Sequence, residues 1–260
     1  MTNDNPYVLK TVADGVATLT LNRGDKFNPL SEEMMAALQA ELDAIKADQS
    51  VRIVVLAAAG KAFCAGHDLK QMRAQPSHAY YRKLFNQCSK MMLTIQQMPQ
   101  PVIARVQGIA TAAGCQLVAM CDLAVAARDA KFAVSGVNYG LFCATPSVGL
   151  ARNVSRKQAM EMLLTGEFID ADTARERGLV NRVVTAEELD AEVGKLAASI
   201  LAKPAVAIAM GKQLFYKQLE MGIDAAYQLA GQTMACNMMD EAALEGVQAF
   251  IEKRAPGWKR

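Results

Sequence analysis

An α/β fold is predicted by three features of the chain. Apolar runs of strand length recur at residues 51–58, 102–106 and 123–127, bounded by Gly, Pro or Asp. Between them lie segments whose apolar residues repeat at helical spacing. Strands with intervening helices pair mostly in parallel, with both faces covered, which is why such runs are continuously apolar.

The elements follow in order. Residues 7–11 and 16–21 alternate as short strands around the turn signal Ala13, Asp14, Gly15. Residues 22–30 are rich in turn formers. Ser31 suits an N-cap, and Glu32 and Glu33 favour the positive end of the helix dipole. Met34, Leu38, Leu42 and Ile45 then mark an amphipathic helix over 32–47. The strand 51–58 ends before Gly60. A helix over 80–98 is stopped by Pro99 and Pro101. Strand 102–106 leads to Gly108, a small-residue loop, and a buried helix over 112–120. Strands at 123–127 and 131–134 follow. Strand pairs without a helix between them leave two options open on pattern alone, a doubly wound sheet or a coil of strand–strand–helix repeats. The last third reads as helices over 155–164, 170–177, 186–201, 204–219, 223–238 and 240–253, with Pro204 in a first turn.

Composition excludes several classes. The net charge is +2 and no basic block occurs, so no nucleic-acid partner is expected. No apolar run reaches membrane-span length, so no membrane partner is expected either. Only His67 and His78 are present, at no ligand-like spacing to acids, and no metal is expected. The six cysteines are scattered without a C-x-x-C pair and read as reduced thiols. With a polar residue 1–7 stretch that lacks a leader pattern, they imply a cytoplasmic home.

Two loops carry the candidate chemistry. The stretch 108–122, GIATAAGCQLVAMCD, places small residues at a helix start, where backbone N–H donors have no intrahelical partner. The stretch 60–70, GKAFCAGHDLK, has a similar make-up. Two N–H donors aimed at one oxygen form an oxyanion hole. Either loop alone is equally a device for close packing.

With LNRGDKFNPLS at 21–31, MLLTGEFIDADTARERGLVNRVV at 162–184 and AFIEKR at 249–254, these loops make the chain resemble the enoyl-CoA hydratase/isomerase (crotonase) superfamily along nearly its whole length. The resemblance implies a crotonase-like spiral of ββα repeats with a C-terminal helical oligomerisation region. It implies a core over residues 1–200, and a helical region over 201–260 that builds a homotrimer or a dimer of trimers and helps close the CoA site. The substrate is an acyl-CoA thioester of fatty acid metabolism; coenzyme A enters as part of it and no cofactor is held permanently.

Carried over residue by residue, the resemblance assigns the oxyanion donors to the backbone N–H groups of His67 and Ala113. It assigns substrate binding to Asp25, Lys26 and Phe27, to Ala65, Asp68, Leu69 and Lys70, and to Phe250 and Lys253. Lys70 and Lys253 suit nucleotide phosphates. Family hydratases hold two glutamates that handle water. Gln116 stands in the place of the first and Gly136 in the place of the second, and no Asp or Glu occurs between residues 131 and 160. An amide cannot act as general acid or base. Each such group contributes ~100- to 10,000-fold, so losing both costs on the order of 5 kcal/mol or more.

Other polar groups near this region are Ser135, Asn138, Tyr139, Cys143, Thr145 and Ser147. Cys64, Cys115 and Cys143 are nucleophiles on paper, with Cys115 near a helix N-terminus; each reads equally as a buried hydrophobe. Three readings stay open. One is a lyase or isomerase that uses the oxyanion hole without carboxylates, such as a malonyl-type acyl-CoA decarboxylase. The second is a weak hydratase. The third is a non-catalytic acyl-CoA-binding protein.

Overall fold

The computed structural model describes residues 5–258; residues 1–4 of the polar stretch read above lie outside it. Strands β1 (Val8–Ala13) and β2 (Val16–Leu21) form an antiparallel hairpin. Its turn residues Asp14 (φ 50°) and Gly15 (φ 79°) are both left-handed, as a two-residue hairpin loop demands. Helix α1 (Glu32–Ala47) begins where expected, with the Ser31 side chain accepting from Met34 N.

Three units of strand, strand and helix follow. The first is β3 (Ile53–Ala58), β4 (Ala62–Cys64), α2 (Leu69–Ala74) and α3 (His78–Gln97). The second is β5 (Val102–Val106), β6 (Ile109–Thr111) and α4 (Ala113–Met120). The third is β7 (Leu123–Ala127), β8 (Lys131–Ala133) and α5 (Ala144–Leu150). The chain continues through α6 (Arg156–Thr165), β9 (Ile169–Asp170), α7 (Ala171–Glu176), β10 (Arg182–Val184) and α8 (Leu189–Leu201). It ends in α9 (Ala205–Gln218), α10 (Ile223–Met238) and α11 (Glu241–Ile251).

The first strand of each unit enters a six-stranded sheet of order β1-β2-β3-β5-β7-β10, and the second enters a four-stranded sheet of order β4-β6-β8-β9. Pairing is parallel except for β1 with β2 and β8 with β9. This is the coil of ββα repeats, so of the two options left open by pattern the doubly wound sheet is excluded. Strand β3 shows why its sequence is apolar throughout. Val54 and Leu56 face the main core, whereas Ile53 and Val55 face a second core against Leu189, Val193 and Ala197 of α8.

Strands β4, β6, β9 and β10, of two or three residues each, are not legible in the sequence, whereas β8, equally short, falls within the strand expected over 131–134. The small-residue loop expected after residue 106 therefore contains β6. Helix α5 was also missed, since Pro146 and Gly149 disguise it; Pro146 sits in the first turn, where it removes no helix bond. Pro204 is the residue before α9 rather than in its first turn.

The expected division at residue 200 falls in the last turn of α8. Beyond it, the C-terminal helices leave Phe215, Ile223, Tyr227, Met234, Met239 and Phe250 exposed. The buried residue of α9 is, unexpectedly, Lys212. Among the described residues no single helix is long and apolar enough to cross a membrane.

Candidate active site

The two glycine- and alanine-containing loops meet. A Cβ placed on Gly114 would lie 2.1 Å from the Cys64 carbonyl oxygen, so α4 abuts β4 at a distance only glycine permits. A Cβ on Gly66, at φ 89°, would lie 2.9 Å from Ala112 Cβ and 3.3 Å from Ala113 N. Ala112 takes the bend into α4 at φ 50° and ψ −121°, with its N–H held by the Ala133 carbonyl at 3.0 Å. This backbone region costs an L-residue on the order of 1–3 kcal/mol. The strained alanine is thus the one before the donor, and Ala113 itself opens the helix.

Both His67 and Ala113 border one cavity of about 190 Å³. The Ala113 N–H heads α4, where no carbonyl of its own helix lies within reach. The His67 N–H makes no hydrogen bond to any described residue. Two such donors on one wall can polarise a carbonyl oxygen placed between them. Most of the remaining wall is apolar, formed by Leu69, Met72, Phe85, Leu141, Phe142 and Pro146. Its polar side chains are few, as is usual for a small-molecule site. Ser135 Oγ lies 2.8 Å from Thr111 Oγ1. Among the described residues no Asp or Glu lines the cavity.

Positions 116 and 136 behave differently from one another. Gly136 borders the cavity, but a Cβ there would lie 2.4 Å from the Leu141 carbonyl oxygen and 2.8 Å from Cys143 Sγ. No side chain fits on this backbone. Gln116 is buried on α4, its Oε1 has no partner, and it does not border the cavity. Asn138 bonds to the Gly166 carbonyl and Ser147 to the Ala144 carbonyl, so neither is turned to the cavity, whereas Tyr139, Cys143 and Thr145 border it.

The electropositive setting expected for Cys115 is overturned by burial, which pushes its thiol up to about 12. Cys64 is pushed up to about 12 for the same reason, and Cys143 is raised. None is a thiolate near neutral pH. Among the described residues no three His, Cys, Asp or Glu groups gather in a metal-holding cluster.

The expected CoA residues fall in two places. Asp25 and Lys26 lie exposed in a short turn, followed by Phe27 at φ 62°. The Phe27 carbonyl accepts from Ala65 N at 3.0 Å, which joins the first loop to the second. Lys70 is exposed in the first turn of α2 and Leu69 borders the cavity. The Asp68 carboxylate is occupied as the α2 cap, accepting from Lys70 N at 2.9 Å and Gln71 N at 3.1 Å. Phe250 is 84% exposed near the end of α11, and Lys253 lies beyond it; neither borders the cavity.

Asn28 was not singled out by sequence reading, which saw only another turn former. It is fully buried. Its Nδ2 donates to the Ala59 and Ala62 carbonyls at 2.8 and 2.9 Å, and its Oδ1 accepts from Arg23 N at 2.8 Å. Replacing Asn28 with Ala leaves the Arg23 N–H and the Ala59 carbonyl without this partner, whereas the Ala62 carbonyl keeps Gln107 Nε2 at 3.1 Å. We expect a stability loss of about 2–4 kcal/mol, at ~1–3 kcal/mol for each buried group not rescued by water. A urea titration checks it, through a lower midpoint at unchanged slope.

A spiral of ββα units with two N–H-bearing loops on one cavity defines a class of proteins able to polarise a carbonyl oxygen held there. The comparisons name it. The family described as enoyl-CoA hydratase/isomerase matches residues 11–260, and the chain belongs to that family. The crystal structure of an enoyl-CoA hydratase from Mycobacterium smegmatis is 64% identical, with a TM-score of 0.96, covering 98% of this chain and 99% of that one. Human enoyl-CoA hydratase domain-containing protein 3, mitochondrial, is 42% identical over 245 residues, 94% of this chain and 81% of that protein. Its crystal structure has a TM-score of 0.94 and covers 97% of this chain and 100% of that one. The stretches TAAGCQLVA and GVN-x-GLFC resemble that protein in particular, in keeping with this identity. A crotonyl-CoA hydratase from Syntrophomonas wolfei is 33% identical over 250 residues, 92% of each chain.

These names correct the cytoplasmic home expected from composition: the rat, mouse and human relatives are named mitochondrial. Unpaired cysteines report a reducing surrounding, and they do not distinguish one reducing compartment from another.

Proposed function

We propose that the chain binds a short acyl-CoA thioester and stabilises its enolate between the backbone N–H groups of His67 and Ala113. The observation that carries this is the meeting of the two loops, with Gly66 against Ala112 and Ala113 at the cavity wall. Asp25, Lys26, Phe27, Ala65 and Lys70 fit the nucleotide end, because the Phe27–Ala65 hydrogen bond sets the two loops side by side. A cavity of about 190 Å³ suits a short acyl group, being below the ~300–1,000 Å³ of drug-sized sites.

Relatives named hydratases suggest hydration, but the cavity offers nothing for the two-carboxylate route. Gly136 has no room for a side chain and Gln116 stands away from the cavity. The reaction best supported is one that needs no protein base. In a malonyl-type thioester, breaking the C2–carboxylate bond releases CO₂ and leaves the electron pair as the enolate. The two N–H groups stabilise that charge, and a solvent proton on C2 completes the acyl-CoA. The lack of any carboxylate in the wall also favours a second reading, capture of acyl-CoA without turnover.

The exposed apolar faces of α9–α11 support self-association, which we read as a trimer or a dimer of trimers; Phe250 and Lys253, which do not border the cavity of their own chain, are proposed to meet a site through that packing. We retain the division into a core over 1–200 and a helical region over 201–260 on the same grounds.

Calorimetric titration with crotonyl-CoA and malonyl-CoA, with product followed by mass spectrometry, tests the reading. Binding of both with acetyl-CoA formed from malonyl-CoA is the expected result. Rapid hydration of crotonyl-CoA overturns the base-free reaction. Binding without product selects capture, and no binding overturns the acyl-CoA assignment.

A further inference from the structure

Helix α2 borders the cavity without being built into the core. None of its residues is buried, and residues 73–79, which run from its last turn into α3, are exposed throughout. Its apolar side chains Leu69 and Met72 form part of the cavity wall, yet Leu69 is 58% exposed. A segment with no buried side chain of its own opens at low cost, because little packing is lost.

The chain on either side is fixed. Ala65 N donates to the Phe27 carbonyl at 3.0 Å and Leu30 N to the Gly66 carbonyl at 2.8 Å. Helix α3 is anchored by a buried stripe that starts at Leu84. Between these anchors, two residues tie α2 to the frame. Gln71 Oε1 accepts from Glu32 N at 2.9 Å, an N–H in the first turn of α1 that has no intrahelical partner. Gln71 Nε2 also reaches the Glu33 carboxylate at 3.3 Å. The Tyr81 hydroxyl donates to the Met72 carbonyl at 3.2 Å. The Asp68 carboxylate is spent on capping α2 itself, which keeps the segment helical as it moves.

We propose that α2 is a lid on the cavity and that Gln71 is its latch to α1. Opening breaks the Gln71 contacts and lifts Leu69 and Met72 off the cavity. The Gly66 peptide lies before the moving segment and stays in place, so the donor loop is not dismantled when the lid opens. Gln71 acts here as a positioning residue and touches no ligand. Only the ligand half of the test rests on the acyl-CoA reading.

The test joins hydrogen exchange of the unliganded protein, read by mass spectrometry, to stopped-flow binding of butyryl-CoA. Both are made on the native chain and on Gln71→Met, which keeps a side chain of similar length and removes both hydrogen bonds. In the native protein residues 71–75 are expected to exchange roughly tenfold or more faster than residues 84–95 of α3. Gln71→Met is expected to speed exchange over 71–75 by about three- to tenfold, the effect of losing exposed hydrogen bonds. It raises the association and dissociation rate constants of butyryl-CoA by a similar factor, with Kd held within about twofold, because a latch present with and without ligand biases neither state. Exchange over 71–75 as slow as over 84–95 in the native protein overturns the lid, whether or not the variant folds. Unchanged rate constants in Gln71→Met overturn the latch, and so does a changed Kd at an unchanged association rate, which marks a binding contact. Failure of butyryl-CoA to bind the native protein overturns the acyl-CoA reading, and the exchange comparison then decides the lid by itself.

Discussion

An Ala113→Pro protein is expected to keep its fold and lose about 10²- to 10³-fold in turnover, the usual effect of removing one oxyanion donor. Proline suits the first position of a helix, where its missing N–H breaks no helix bond. The substitution removes the proposed donor, but proline also restricts the residue before it, and Ala112 at φ 50° and ψ −121° lies outside the favoured range, so circular dichroism is recorded first to establish that the variant is folded. Ala113→Gly keeps the N–H and is expected to retain activity. A second readout does not depend on turnover. The carbonyl stretch of a bound acyl-CoA thioester, followed by infrared difference spectroscopy, is expected to shift to lower frequency on the native protein and on Ala113→Gly. The shift is expected to shrink on Ala113→Pro. An equal shift on all three would remove Ala113 from the site.

Lys212→Met is expected to destabilise the protein by about 3–5 kcal/mol, the range for breaking one partner of a buried ion pair. Lys212 Nζ donates to Asp122 Oδ2 at 2.6 Å and to the carbonyls of Ile95 and Gln100 at 2.8 Å each. Asp122 also accepts from Val102 N at 2.7 Å and from the Tyr216 hydroxyl at 2.8 Å. The side chains are 6% and 14% exposed, so solvent screens the pair little. Methionine fills the space but leaves a buried carboxylate and two carbonyls unpaired. For a chain of this size the midpoint of thermal unfolding is expected to fall on the order of 10 °C.

The pH dependence has a definite sign. Burial raises the Asp122 pKa, against the opposing pull of Lys212. A carboxyl raised in the folded state gives stability that is present at low pH and lost as pH rises through the raised value. Removing Lys212 raises it further. The deficit of Lys212→Met is therefore expected to narrow as pH falls from neutrality toward the pKa of that carboxyl. Thermal melts across that range check it, and a deficit independent of pH would contradict it. Asp122 lies two residues beyond α4, so this pair also anchors the far end of the helix that presents Ala113.

Much of the fold was legible in local pattern. The Ser31 cap, the α1 stripe and the apolar central strands appear where spacing and composition put them, since each depends on residues within a few positions. The short strands β4 and β6 were not. They are strands only because they pair with each other and with β8, which no window of sequence contains.

The site divides along the same line. The residue types at positions 66–67, 112–116 and 136 could be read directly, together with the absence of Asp and Glu from residues 131–160. The sequence by itself determined the small-residue loops around Gly66 and Ala113, and that Gln116 and Gly136 stand where the resemblance to enoyl-CoA hydratases places glutamates. Only the tertiary structure decided that the loops touch, that the cysteines are held as thiols, and that Gly136 admits no side chain. The physical reason is separation along the chain. The Leu30 carbonyl meets His67 Nδ1 from 37 positions away, and Lys212 reaches Asp122 across 90. Burial and hydrogen-bond partnership are set by such distances in space, and residue type and spacing carry no measure of them.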